Sequence, residues 1–263
     1  MALLWQGLLA RVAKIPVAWP HAFILGMSVW LAYAADRWIE GWRLAPEQTR
    51  TQRHRFYQRH RWPVAVAWAV GLVAAVSVSL RFLTAREFEF GLLLLAAVLT
   101  YLLSHQLVHR DRRWRAPKEI CVAALLAGGV AVFPLAQSPA TARALAAPLG
   151  LFALLCFANC ALISAWEHEV DQTHGQTSLS HQFEHGQVVG RTLPWMLLLV
   201  AALAAGAEHG DTRAAALCAA VSSGLLGVLD RLEPRLGWPA ARVLADVALL
   251  TPLAPLLAAV ASS

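Results

Sequence analysis

An all-helical integral membrane protein of about eight spans is the fold class this sequence predicts. Two observations lead there. Of 263 residues, 58% are hydrophobic and only 14% are charged, a balance outside the range of soluble domains. The apolar residues also come in blocks close to the roughly 20 that a helix needs to cross a hydrocarbon core.

The segment MALLWQGLLARVAKIP comes first and is apolar before it is basic. A signal peptide has the reverse order, so residues 1–14 are expected to form a short helix in the membrane interface. Apolar spans are then expected at 15–36, 62–81, 89–107, 119–138, 144–166, 192–207, 213–230 and 239–260. The sixth and seventh are the shortest. Residues 1–263 read as one transmembrane domain with no soluble domain attached. Cys121, Cys156, Cys160 and Cys218 all fall inside spans without a CxxC pair, and read as small packing residues.

The net charge of +6 suggests nucleic acid until its distribution is considered. The stretch Arg37 to Arg61 holds seven Arg, and Arg110 to Lys118 holds five basic residues. With Arg191, Arg231, Arg235 and Arg242, 16 of the 22 basic residues fall on one face if eight helices alternate. This is the positive-inside pattern. It predicts cytoplasmic loops at 37–61, 108–118, 167–191 and 231–240, with both termini outside. Nucleic acid is not an expected partner; membrane lipid is.

The charges that carry chemistry are acids. The first span runs from Ile15 to Ala35 for 21 residues without Asp, Glu, Lys or Arg. Asp36 and Glu40 follow, four apart. The fifth span leads into "EHEVDQTHGQTSL", residues 167–179, where Glu167 and Asp171 are also four apart. This spacing puts both members of a pair on one side of a helix, and both odd-numbered spans end on the same face. Two carboxylate pairs offer a seat for Mg²⁺, which takes oxygen ligands and is commonly held by carboxylates plus substrate phosphates. Arginine in the adjoining loops suits phosphate.

The two motifs resemble those of the UbiA superfamily of intramembrane prenyltransferases, which carry NDxxDxxxD at the end of one membrane helix and DxxxD in a later cytoplasmic segment. "AYAADRWIE", residues 32–40, lies over the first, with Asp36 and Glu40 on its last two acids. Glu167 and Asp171 lie over the second, and Gly175, Thr177 and Ser178 resemble the small residues after it. "RRWRAPKEICVAALLAGG", residues 112–129, resembles the basic stretch and Gly-containing helix between them. The frame covered is 17–190. Ala32 and Tyr33 replace the leading Asn and Asp, and the family's first helix is missing or reduced to residues 1–16. The resemblance implies Mg²⁺-dependent transfer of a prenyl group from an isoprenyl diphosphate to a lipophilic or aromatic acceptor. Asp36, Glu40, Glu167 and Asp171 would hold the metal, and Arg37, Arg53, Arg112 and Lys118 the diphosphate. The mouth would face the cytoplasm of a bacterial inner membrane.

Three alternatives stand beside it: a cyclase acting on the diphosphate alone, a membrane iron oxygenase, and a non-catalytic relative. The oxygenase reading rests on His105 with His109, His181 with His185, and His168 and His174. Trp19, Trp38, Trp42, Trp62, Trp114, Trp166 and Trp195 fit an aromatic belt. Asp246, two turns into the last span, is expected to pair with Arg242 at i−4.

Overall fold

The computed structural model describes residues 1–43, 59–104, 118–167, 183 and 185–261. Ten helices appear in order, with no strand among the described residues. They are α1 (Ala2–Val12), α2 (Trp19–Arg43), α3 (Arg61–Phe82), α4 (Ala85–Leu103), α5 (Lys118–Gln137), α6 (Pro139–Trp166), α7 (Gly186–Ala207), α8 (Gly210–Leu236), α9 (Trp238–Ala248) and α10 (Leu253–Ala261). Among the described residues, six helices are long and apolar enough to cross a membrane: α3, α5, α6, α7, α8, and α9 with α10 taken as one span. The chain is therefore an all-helical protein built for a membrane. The other two expected spans are present as the helices α2 and α4 but are not among those six.

The chain divides into two compact units. Unit 1 comprises Met1–Val17 and Arg112–Ser263; unit 2 is Ala18–Asp111.

In unit 1, α6 is central. It packs against α5, α7, α8 and α9, and α7 packs along α8. The faces are inverted relative to a soluble bundle. Met196, Leu199, Val200 and Leu203 of α7 are exposed, while Ala201 and Ala205 are buried. In α8, Leu217, Val221, Leu225 and Val228 are exposed, while Ala216, Ala219, Ala220 and Ser223 are buried. Long chains face lipid and small residues let the backbones approach, the pattern of helices packed in a membrane. A Cβ added to Gly190 would stand 2.8 Å from the carbonyl oxygen of Ala161. One on Gly227 would stand 2.6 Å from the Trp195 ring.

The 1–14 segment forms α1, whose Trp5, Leu8 and Leu9 are fully buried. It packs against α5, α6, α8 and α10. Trp5 stacks on Phe152 at 4.8 Å, and its indole N–H donates to the Leu249 carbonyl at 3.1 Å. That acceptor exists because the last span is broken. The sequence reads 239–260 as continuous, but the helix stops at Ala248 and resumes at Leu253. Pro252 and Pro255 lack N–H groups and crowd the carbonyls four residues back. Backbone freed inside a membrane must find partners within the protein. Trp5 supplies one. The Thr251 hydroxyl donates to the Cys218 carbonyl at 3.0 Å and lies 2.8 Å from the Ser222 hydroxyl.

Boundaries differ elsewhere for local reasons. The expected loop at 231–240 is nearly all helix: α8 reaches Leu236, and Gly237, at φ 78°, alone turns the chain into α9. Glycine accepts that left-handed conformation without strain. Ser138 caps α6, accepting from the Ala140 N–H, with Pro139 in the first turn. The span therefore starts earlier than residue 144.

In unit 2, α2 packs along α3. The Trp68 indole donates to the Leu31 carbonyl at 2.9 Å, and Trp38 to the Arg61 carbonyl at 3.2 Å. A Cβ on Gly71 would meet Met27 and Trp30 at 2.7 and 2.9 Å. Between α3 and α4, Thr84 and Glu87 form a reciprocal capping box, which satisfies two orphan donors at a helix start. His21 of α2 lies 3.2 Å from the Glu87 carboxylate.

Candidate functional site

The first acidic pair lies within a helix. α2 continues to Arg43, so positions 36 and 40 both fall inside its last two turns. The Asp36 carboxylate is 3.6 Å from the Arg37 guanidinium, which also lies 5.5 Å from the centre of the Tyr33 ring. Tyr33 seats the neighbouring cation on an aromatic face. Trp38, through Arg61, ties this end of α2 to the start of α3.

The second pair belongs to unit 1. Glu167 is the C-cap of α6, its N–H bonded to the Ile163 carbonyl. An acid at a helix C-terminus faces the negative end of the helix dipole, and a cation relieves it: Arg242 of α9 forms an ion pair with Glu167. Lys118 opens α5, which lies against α6. Asp171, Arg53 and Arg112 lie outside the described residues. So do His105, His109, His168, His174 and His181 of the proposed iron cluster. Among the described residues no group of three or more His, Cys, Asp or Glu could hold a metal ion.

One expected pairing is corrected. Arg242 reaches Glu167 on another helix, while Asp246 accepts from the Asn159 side-chain N–H at 3.4 Å. Register decides this. α6 and α9 are joined by two polar rungs, Arg242 to Glu167 and Asp246 to Asn159, so the i−4 neighbour competes with a carboxylate that the helix end leaves needing a cation. Nearby, Asp230 of α8 accepts from the Trp166 indole at 2.9 Å, with Arg191 at 3.6 Å. Arg231 lies over the Trp195 ring at 4.8 Å. One end of unit 1 thus gathers three acids and several cations from α5, α6, α7, α8 and α9.

No family model matches the chain, and no curated protein or solved structure matches it.

Sequence reasoning overlooked Asn159, Glu119 and Asp230. Asn159 is 6% exposed and Glu119 is 1% exposed. Each interrupts or edges an apolar run, and polar residues in such positions mark function often enough to be noticed. Asn159 of α6 bonds Asp246 of α9, and Glu167 of α6 pairs with Arg242 of α9. This grouping of α6 and α9 is a tertiary product with no motif behind it.

Proposed function

We propose that the chain is a membrane prenyltransferase, moving an isoprenyl group from its diphosphate to a lipophilic or aromatic acceptor. The observation that carries the reading is Glu167, an acid capping a membrane-length apolar helix with Arg242 against it. A diphosphate site needs carboxylates for metal and guanidinium or ammonium groups for phosphate oxygens, at the rim of an apolar volume. Oxygen donors from Asp36, Glu40, Glu167 and Asp171 fit Mg²⁺ by type. Bound Mg²⁺ would supply charge stabilisation for the departing diphosphate. Arg37, Arg53, Arg112 and Lys118 would bind and orient the diphosphate oxygens, and Arg242 joins them as a cation already at Glu167. The apolar helix faces would hold the prenyl tail and exclude water. Eight alternating spans would put 16 of the 22 basic residues on one face, which supports a cytoplasmic mouth; the membrane proposed is a bacterial inner membrane.

A second reading, a non-catalytic relative, is favoured by the same ion pair. Arg242 neutralises Glu167 without a metal, and Ala32 and Tyr33 occupy the positions of the motif's leading Asn and Asp. A cyclase would use the same groups and release product without an acceptor.

The test is thermal unfolding of purified protein with Mg²⁺ and a series of prenyl diphosphates, followed by product analysis with and without acceptor. Both ligands together should stabilise the wild type, by about 2.7 kcal/mol at a hundredfold excess over Kd. Asp171→Asn should lose most of that shift and all turnover while remaining folded. Equal responses in the two proteins, or none at any chain length, would establish the non-catalytic reading.

A further inference from the structure

We propose that the seam between α7 and α8 binds the headgroup of an anionic phospholipid, whose phosphate is taken by Arg191 and Arg231. The two helices are joined across residues 208–209 and pack along each other antiparallel. Glycines on α8 set how closely they meet. A Cβ on Gly224 would stand 3.8 Å from the Leu198 side chain, and one on Gly227 2.6 Å from the Trp195 ring. The Trp195 ring therefore lies against the α8 backbone. One turn further along α8, the Arg231 guanidinium stands over that same ring, 4.8 Å from its centre. On α7, Arg191 precedes Trp195 by one turn and so shares its side of the helix. Its guanidinium lies 3.6 Å from Asp230, which brings it to the end of the seam where Arg231 sits.

Positive charge is left over at this end. Asp230 is shared between Arg191 and the Trp166 indole, and the Arg191 side chain is 47% exposed. Arg231 and Arg235 are exposed, and among the described residues neither has a carboxylate partner. Glu233 is two residues from each and points to another side of α8. A topology signal needs only a basic residue near a helix end. Arg231 is seated more closely than that: the ring beneath it holds the guanidinium by a cation–π contact, so less freedom is lost when its planar fork takes a phosphate. Deeper along the seam, Leu199 lies one turn past Trp195, and Val228 one turn before Arg231; both are exposed. They give acyl chains an apolar track directly below the charge. A free phosphate would leave that track uncovered, whereas a phospholipid covers it. Basic pockets between membrane helices are where anionic headgroups bind. None of these arginines belongs to the proposed metal–diphosphate site, and the inference stands apart from the transfer reading.

Full-length protein is equilibrated in detergent with equimolar phosphatidylglycerol and phosphatidylcholine, and retained lipid is counted by native mass spectrometry. Neither Mg²⁺ nor a prenyl diphosphate is present, so the result does not depend on catalysis. The wild type should retain phosphatidylglycerol in excess. Arg231→Gln should cut that excess by about fivefold, the effect of one basic residue near a membrane surface. Arg231→Lys keeps the charge without the planar stacking and should retain part of it, which separates loss of the guanidinium from loss of the fold. Arg213→Gln removes an equal charge from the opposite end of α8 and should change nothing. Inorganic phosphate at the lipid's concentration should displace no phosphatidylglycerol. No excess in the wild type, an excess intact in Arg231→Gln, or an equal loss in Arg213→Gln overturns the site. Displacement by inorganic phosphate would overturn the lipid as its occupant.

Discussion

Unit 1 and unit 2 draw on the same apolar alphabet and use it differently. In unit 1 the most apolar windows of α5, α6 and α8 are 56%, 50% and 50% buried, whereas that of α3 in unit 2 is 11% buried. Unit 1 closes on small residues and on polar contacts between distant segments: Trp5 with Leu249, Asn159 with Asp246, Glu167 with Arg242. Unit 2 relies more on contacts close in sequence, such as the Thr84–Glu87 box and indole bonds between α2 and α3. Apolar composition makes both units membrane-compatible. Of the eight buried polar side chains among the described residues, seven lie in unit 1 and one, Glu87, in unit 2, and a sheltered polar side chain is what a membrane site requires.

The largest expected effect lies at the ion pair of unit 1. Arg242→Gln leaves the half-buried Glu167 uncompensated and should destabilise by about 3–5 kcal/mol. Adding Glu167→Gln should recover much of that loss. Thermal unfolding of the four proteins in detergent measures the coupling; a double variant as unstable as the single one would mean the pair is not what orders this end.

Next comes packing, where the two units should part most clearly. Gly190→Val drives a side chain against the Ala161 carbonyl and should cost about 1–3 kcal/mol. Gly91→Val in unit 2 meets nothing within 4 Å and should be close to neutral. Equal losses at both positions would erase the contrast between close-packed and open helices.

Thr84→Ala removes the side-chain acceptor of the capping box in unit 2, and about 1 kcal/mol is expected. Hydrogen exchange should report the loss in the first turn of α4 and leave α6 unchanged. Exchange accelerated in α6 would show that the cap is not a local device.

The smallest effect belongs to Arg11→Ala. The Arg11–Asp211 bridge is 2.8 Å long, but both side chains are over a third exposed. About 0.2–1 kcal/mol is expected, shrinking as salt rises. A larger, salt-independent loss would point instead to the Arg11 bond with the Pro255 carbonyl.

By itself the sequence determined that the chain is helical and membrane-bound, because hydrophobicity sustained over 20 residues has few other outcomes. It also located the helices to within a turn or two at most ends, and it singled out Asp36, Glu167 and Asp246 as charges placed where charges are expensive. Boundaries failed where a local device overrode composition: Gly237 compressed a loop to one residue, and Pro252 with Pro255 broke the last span. Partners were decided only by tertiary structure. Asp246 has Arg242 one turn away on its own helix, yet the register of α9 against α6 hands that arginine to Glu167 and gives Asp246 to Asn159, 87 residues distant in sequence. Periodicity fixes which side of a helix a residue occupies. It carries no information on which neighbour slides opposite, because that depends on how small residues such as Gly190 let the backbones settle.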